Sequence, residues 1–227
     1  MPRQARILPP NGFYHIVCRG NNKQNIFRDD SDKDKYLELA LRYKGEHPMS
    51  LFHYCLMTNH VHLLLETNEQ TDLSNFMKRL NLAYFHHFKN KYGYVGHFWQ
   101  DRFKSFLIER DNYLLVCGKY IELNPVRAKM VARPEDFEYS SYGFYTDNKK
   151  SDILEHNPLF FELSSKSKDC SSLYRDFVVP QEEIEQRFKG PFWGSEKFVT
   201  RMRKRLDYKK AAVQAGRKVN FRKIKAQ

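Results

Sequence analysis

The chain has 227 residues, of which 41% are hydrophobic, and a formal net charge of +12. That length suits one full domain with an appendage, and no apolar run is long enough to span a membrane. Residues 1–12 are polar and rich in proline, unlike a signal peptide, so we expect a cytoplasmic protein. The four cysteines show no Cys-x-x-Cys spacing, which argues against a thiolate metal site and against a disulfide framework.

Most of the positive charge lies near the C-terminus. Residues 201–227 hold eleven basic residues and one acidic residue, whereas residues 151–200 carry a net charge of −3 and residues 1–150 of +5. The excess indicates a polyanionic partner. The basic C-terminal stretch suits a non-specific, salt-dependent attraction to phosphates, so specific binding has to come from local residues elsewhere.

The hydrophobic pattern predicts a strand, a helix, a two-strand hairpin, a helix, a strand and a helix. The predicted elements are, in chain order, a strand over 13–19, a helix from Ser31 or Asp32 to about Gly45, strands over 50–57 and 60–66, a helix over 71–92, a strand over 102–109 and a helix from Asp111 or Asn112 to Leu123. The turn Thr58-Asn59 is short enough to make the middle strands antiparallel.

This order predicts an α+β fold, a ferredoxin-like antiparallel sheet with helices on one face. We expect residues 1–150 to form this domain and residues 151–208 a small helical module, in which Ser195-Glu196 starts a helix. Residues 209–227 hold few apolar side chains and are expected to be a flexible basic tail.

Two histidines alternate with an apolar residue in His60-Val61-His62. On a strand both imidazoles point to one face, about 7 Å apart, and can converge on one divalent cation. Two histidines on an exposed strand face are more often ordinary polar residues, so the spacing alone leaves both interpretations open.

Tyr120 and Asn124 lie four residues apart, on one face of the last predicted helix. If the helix continues to Asn124, its amide oxygen could reach an ion that also serves the target of Tyr120. Taken alone, Tyr120 is more typical of a core position. Asn124 before Pro125 is equally typical of a helix break and restart.

Six segments over about residues 5–145 together resemble the HUH single-tyrosine transposases, and in particular the REP-associated tyrosine transposases. They are residues 14–17 (YHIV) with 19–21 (RGN), 26–30 (IFRDD), 57–64 (MTNHVHLL), 96–104 (GHFWQDRFK), 120–128 (YIELNPVRA) and 140–142 (SSY). Residues 57–64 match the His-hydrophobic-His motif, and residues 120–128 match the nucleophile helix. Three residues depart from the commoner pattern without removing a reactive group: Thr58 before Asn-His, and Glu122 and Lys129 in the nucleophile segment.

The resemblance implies that residues 1–150 are an HUH catalytic domain. It implies His60 and His62 as ligands of Mg²⁺ or Mn²⁺, Asn124 as the third ligand and Tyr120 as the nucleophile. The implied reaction is metal-dependent cleavage and rejoining of single-stranded DNA that carries hairpins, such as REP-like palindromes, through a 5′-phosphotyrosine. The implied protein is a monomer or homodimer, located in the cytoplasm with the nucleoid.

Several polar residues are candidates for contacts with DNA: Arg3 and Arg6 in the N-terminal arm, Arg19 and Asn21, Arg102 and Lys104 on the fourth strand, and Arg127. A solvated strand face explains Arg102 and Lys104 equally well. The alternative function is a non-catalytic regulatory protein, derived from a transposase, that binds DNA or RNA hairpins. A nickase of rolling-circle replication is less favoured, because there is one candidate tyrosine and no helicase-like segment.

Overall fold

The computed structural model describes residues 8–164, 167–179 and 190–206. The strands are β1 (Phe13–Arg19), β2 (Met49–Met57), β3 (His60–Thr67), β4 (Lys104–Ile108) and β5 (Phe192–Trp193). The helices are α1 (Asp30–Lys44), α2 (Leu73–Tyr92), α3 (Asn112–Glu122), α4 (Asn124–Arg127), α5 (Tyr142–Thr146), α6 (Ser167–Val178) and α7 (Glu196–Arg205). None of the described helices is both long enough and apolar enough to cross a membrane.

The strands form one five-stranded sheet in the order β2-β3-β1-β4-β5. All neighbours are antiparallel except β4 and β5, which are parallel. The predicted α+β class and the antiparallel sheet of the first four strands are confirmed. In the register of β1 and β3, Val17 pairs with His62 and Arg19 pairs with His60, so the ends of two central strands meet at one edge.

Helices cover both faces of the sheet, whereas the sequence led us to expect them on one face. Leu63 and Leu65 of β3 pack in the cluster formed with α1 and α2, and Leu64 packs in a second cluster with Ile121 of α3. The reason is visible in β3, where three consecutive leucines make both faces of the strand apolar. A strand of this kind has to be covered on both sides.

Most element ends follow local signals in the sequence. Asp29 caps α1 and forms a capping box with Asp32, so the cap lies two or three residues before the predicted caps, Ser31 or Asp32. Asp111 caps α3 as expected. β4 begins at Lys104, two residues later than predicted, and just before it the N–H of Arg102 donates to the side chain of Asp101.

Residues after 150 pack against the rest of the chain. β5 joins the sheet beside β4, and Tyr174 of α6 lies in a third cluster with Leu123 and Tyr145. Phe198 and Met202 of α7 belong to the cluster of α1 and α2. The boundary at residue 150 stays a prediction. The predicted tail over residues 209–227 lies outside the described residues.

Candidate active site

The turn between β2 and β3 fixes the first histidine. Nδ1 of His60 and Oδ1 of Asn59 lie 2.6 Å apart within this turn. The turn is bonded to the loop that follows β1: Gly20 N–H donates to the carbonyl of Asn59 at 2.9 Å, and Ile26 N–H donates to the carbonyl of Thr58 at 2.9 Å. The backbone just before His60, the first residue of β3, is therefore fixed by hydrogen bonds from the loop after β1.

The second histidine is held by a third. The rings of His60 and His62 lie 4.8 Å apart between centroids, and Nδ1 of His62 lies 2.8 Å from Nε2 of His15 on β1. If His62 offers the lone pair of Nε2 to a cation, its proton sits on Nδ1 and is donated to His15. His15 thus orients His62 in the way that outer partners orient metal-binding histidines.

All three imidazoles are held in their neutral form. Burial, with a smaller effect of Arg19, lowers the pKa of His60 to about 4. Burial, with a smaller effect of His60, lowers the pKa of His15 to about 3. Burial and then the neighbouring His15 lower the pKa of His62 well below its ordinary value. Neutral imidazoles keep the lone pairs that a cation requires.

Helix α3 brings Tyr120 to the imidazoles. The ring centroid of Tyr120 lies 6.1 Å from that of His62 and 5.9 Å from that of His15, edge-on to both. The side chain is half-buried, at the border of the cluster that contains Cys117 and Ile121. The helix buries Cys117 and Ile121 against the sheet, and this packing leaves the phenol at the rim of the site.

A cation faces the phenol ring. The guanidinium of Arg127 lies 5.0 Å from the ring centroid of Tyr120. Burial raises the pKa of Tyr120, Arg127 opposes that rise, and Cys117 adds to it. Arg127, which we expected to contact DNA, therefore also stabilises the phenolate form of the candidate nucleophile.

Asn124 is placed at the junction of α3 and α4. Its amide nitrogen donates to the carbonyl of Tyr120 at 2.7 Å and to that of Ile121 at 3.3 Å. Pro125 follows in the first turn of α4, as the sequence pattern allowed. These contacts tie the amide to the end of α3, and its role as a third metal ligand stays a prediction.

The other candidates for DNA contacts are spread around this site. Lys104 is exposed and pairs with Val17, which pairs on its other side with His62, so Lys104 and the imidazoles share one face of the sheet. Arg19 is half-buried and pairs with His60. Asn21 donates its N–H to the carbonyl of Phe98 at 2.7 Å.

Arg102 is exposed and precedes β4. Arg3 and Arg6 lie outside the described residues. Contacts between these seven polar residues and DNA stay predictions.

The two imidazoles suit a divalent cation only if oxygen ligands complete its shell. Within the described residues, no group of three or more His, Cys, Asp or Glu side chains is arranged to hold a metal ion. Nε2 of His62 is buried and has no hydrogen-bond partner in the part of the chain that the structure describes. A buried nitrogen without a partner is costly, and coordination would satisfy it. The donor set therefore fits a cation.

His15 and Trp193 are the two site residues that we did not predict. Trp193 of β5 lies 4.9 Å from His15 and 6.2 Å from Tyr120 between ring centroids. Alternation along β1 puts His15 and Arg19 on one face, but the register against β3 is needed to place His15 beside His62. No local pattern in the sequence indicates that Trp193 returns to the sheet.

A comparison of sequences shows that the chain belongs to a transposase family. The sequence profile of the family described as "Transposase IS200 like" matches residues 10–124, and the chain belongs to this family. Transposases of this family are generally metal-dependent.

Within this class, the chain is similar to a REP-associated tyrosine transposase of Haemophilus influenzae, with 28% identity over 57% of this chain and 78% of the relative. It also resembles a solved REP-associated tyrosine transposase bound to a REP hairpin. That likeness has a TM-score of 0.57 at 15% identity and covers 69% of this chain and 93% of the solved one, which shows a shared fold.

Proposed function

We propose that this protein cuts and rejoins single-stranded DNA beside hairpins, through a covalent 5′-phosphotyrosine on Tyr120. The observation that carries the proposal is the meeting of groups distant in sequence: the phenol ring of Tyr120 lies 6.1 Å from the ring of His62. Membership of a transposase family supports the reaction class. The REP hairpin bound to the solved relative supports hairpin DNA as the substrate.

The chemistry follows from the roles of these side chains. A bound Mg²⁺ or Mn²⁺ would offset the charge of the scissile phosphate and orient it for in-line attack. His60 and His62 would hold the cation, with Asn124 as the predicted third ligand. A free tyrosine has a pKa of about 10 and is a weak nucleophile at neutral pH, so the facing Arg127 favours the attacking form.

The proposed step transfers a phosphoryl group of the DNA from a 3′ oxygen to the phenol oxygen of tyrosine. The phenol oxygen of Tyr120 loses its proton and bonds to phosphorus, while the bond from phosphorus to the 3′ oxygen breaks. The departing 3′ oxygen takes up a proton and becomes a free hydroxyl. Because the phosphoryl bond is conserved on tyrosine, a 3′-hydroxyl can later attack it and rejoin the strand without ATP.

Substitution of the nucleophile tests this proposal. With Mn²⁺ and a panel of hairpin oligonucleotides, the wild-type protein should form an adduct that survives a denaturing gel. Tyr120→Phe should abolish the adduct and leave hairpin binding within about threefold, because it removes one hydroxyl. Tyr113→Phe, on the same helix, is the matched control and should keep the adduct.

His60→Ala should abolish the metal-dependent adduct, whereas His86→Ala, at an exposed position on α2, should not. An adduct that persists in Tyr120→Phe would remove Tyr120 from the role. Hairpin binding by the wild-type protein without any adduct would instead favour the non-catalytic, hairpin-binding alternative. We also propose that the protein associates with the nucleoid, where its DNA substrate would lie.

A further inference from the structure

The segment after Gly190 returns to the sheet beside the candidate site, beyond the residues matched by the family profile. β5 lies parallel to β4, with Phe192 opposite Leu107 and Trp193 opposite Ile108. The N–H of Leu107 donates to the carbonyl of Pro191 at 2.8 Å. Because side chains alternate along a strand, Phe192 packs in the cluster of α1 and α2, and Trp193 packs on the face of α3.

The indole of Trp193 closes one side of the site. It is 4% exposed and stacks on Phe106, with ring centroids 4.6 Å apart and planes 25° apart. Its centroid lies 4.9 Å from that of His15 and 6.2 Å from that of Tyr120. One side chain therefore touches the candidate nucleophile and the histidine that orients His62.

The position of the indole is fixed by hydrogen bonds of residues just before and just after β5 in the chain. On one side, Nε1 of Trp193 donates to the carbonyl of Gly190 at 3.1 Å. On the other side, the carboxylate of Glu109 accepts from the backbone N–H of Ser195 at 2.6 Å and from its hydroxyl at 3.2 Å. Gly194 lies so close to Glu109 that a Cβ there would come within 2.6 Å of the carboxylate.

We propose that Trp193 is a positioning residue for the cleavage step, so that the C-terminal segment forms part of the active site. This inference rests on the proposed function. The indole limits the movement of the Tyr120 ring on one side and of His15 on the other. A misplacement of about 1 Å in reacting groups can cost about 10²-fold in rate. The indole of Trp193 therefore matters more for the rate of cleavage than for the binding of hairpin DNA.

The neighbouring residue on β5 supplies a matched control. Trp193→Ala and Phe192→Ala each remove a buried aromatic side chain from the same strand, but only Trp193 faces the site. At saturating hairpin DNA, with all variants folded, Trp193→Ala should lower the rate of adduct formation by about 10- to 100-fold. Hairpin Kd should stay within about threefold of wild type.

Phe192→Ala should lower Tm to a similar extent but keep the rate within about threefold, because its ring packs on the other face. Trp193→Phe should restore most of the rate, since a smaller ring can still contact His15 and Tyr120. Equal loss of rate in the two alanine variants, or full rate in Trp193→Ala, would overturn the positioning role.

A fluorescence measurement separates this inference from the proposed function. In a Trp99→Phe background, Trp193 is the single tryptophan of the chain. Titration with Mn²⁺ should quench its emission to saturation, and His60→Ala should remove the saturable quenching. Mn²⁺ bound to the protein, as measured by electron paramagnetic resonance, without quenching would overturn the placement of Trp193 beside the imidazoles that would hold the cation. Saturable quenching in a protein that forms no adduct would support that placement of Trp193 and contradict the proposed function.

Discussion

Arg127 lies across the ring of Tyr120, with its guanidinium 5.0 Å from the ring centroid. Burial raises the pKa of the phenol and the cation lowers it, so the two effects oppose each other at one oxygen. An arginine keeps its charge at every pH used for cleavage. The pH dependence of the reaction should therefore reflect the effect of Arg127 on the pKa of Tyr120.

We predict that Arg127→Gln slows adduct formation at pH 8 by about tenfold at saturating DNA. Loss of the cation raises the pKa of Tyr120, so the reactive phenolate becomes scarcer and the rise of the rate with pH moves to higher pH. The measurement is the rate of adduct formation between pH 7 and pH 10.

Arg127→Lys keeps the charge and should retain most of the rate, and Arg133→Gln, at an exposed position, is the remote control. An unshifted pH profile in Arg127→Gln would contradict the role of Arg127 in lowering the pKa of Tyr120.

Helix α3 is anchored by a buried carboxylate two residues after Tyr120. One oxygen of Glu122 lies 2.9 Å from Nδ1 of His53 and accepts from the hydroxyl of Ser141 at 2.6 Å. The other oxygen accepts from the hydroxyl of Tyr174 on α6 at 2.9 Å. Gly118 lets His53 lie against the helix, because a Cβ there would come within 2.6 Å of the ring.

We predict that Glu122→Ala lowers the free energy of unfolding by about 3–5 kcal/mol, because it leaves three buried polar partners without their acceptor. The measurement is urea denaturation followed by circular dichroism. Glu122→Gln keeps an acceptor oxygen and should cost less, and Glu138→Ala, at an exposed position, should cost less than about 0.5 kcal/mol. Equal stability of Glu122→Ala and wild type would contradict the anchoring role.

The elements that the sequence predicts well are those with a local signal. Alternation located β1, β2 and β3 within one residue at either end, and the helical spacing of Phe76, Leu80 and Tyr84 located the buried side of α2. β5 escaped prediction, because two residues are too few for a period and their pairing with β4 is non-local. The cover of α3 on the second face was also missed, although the leucine run of β3 indicates it.

The candidate site shows the same division. The pattern His60-Val61-His62 implies that both imidazoles lie on one face of the strand. Their position beside Tyr120 is visible only in the structure, because sequence spacing does not relate β3 to α3. His15 and Trp193 depend on the register of β1 against β3 and on the return of the chain after Gly190. Such long-range contacts are set by packing of the whole sheet, not by local sequence.

At the scale of the whole molecule, one chain supplies every group of the candidate site. Tyr120 lies beside His15 and His62 of its own chain, and Trp193 closes the site from the same chain. On the proposed function, a single subunit would therefore supply the groups for cleavage, whether the protein is a monomer or a homodimer.

We predict that two inactive variants do not complement each other. A mixture of His60→Ala and Tyr120→Phe should form no adduct, because each chain lacks one group of its own site. The control mixture of wild type with Tyr120→Phe should form adduct in proportion to the wild-type fraction. Adduct from the mixed variants would show that subunits exchange α3, and the measurement is a denaturing gel across a range of protein concentrations.

The length of the turn formed by Thr58 and Asn59 sets the position of His60 at the start of β3. Both residues accept backbone hydrogen bonds from the loop after β1, and His60 follows at once. A strand reverses the direction of its side chains with every residue. One extra residue in this turn, with the register of β3 slipped by one residue, would turn both imidazoles toward α1 and α2 and bring Val61 and Leu63 to the face of α3. The length of this turn is therefore as much a part of the chemistry as the identity of the histidines.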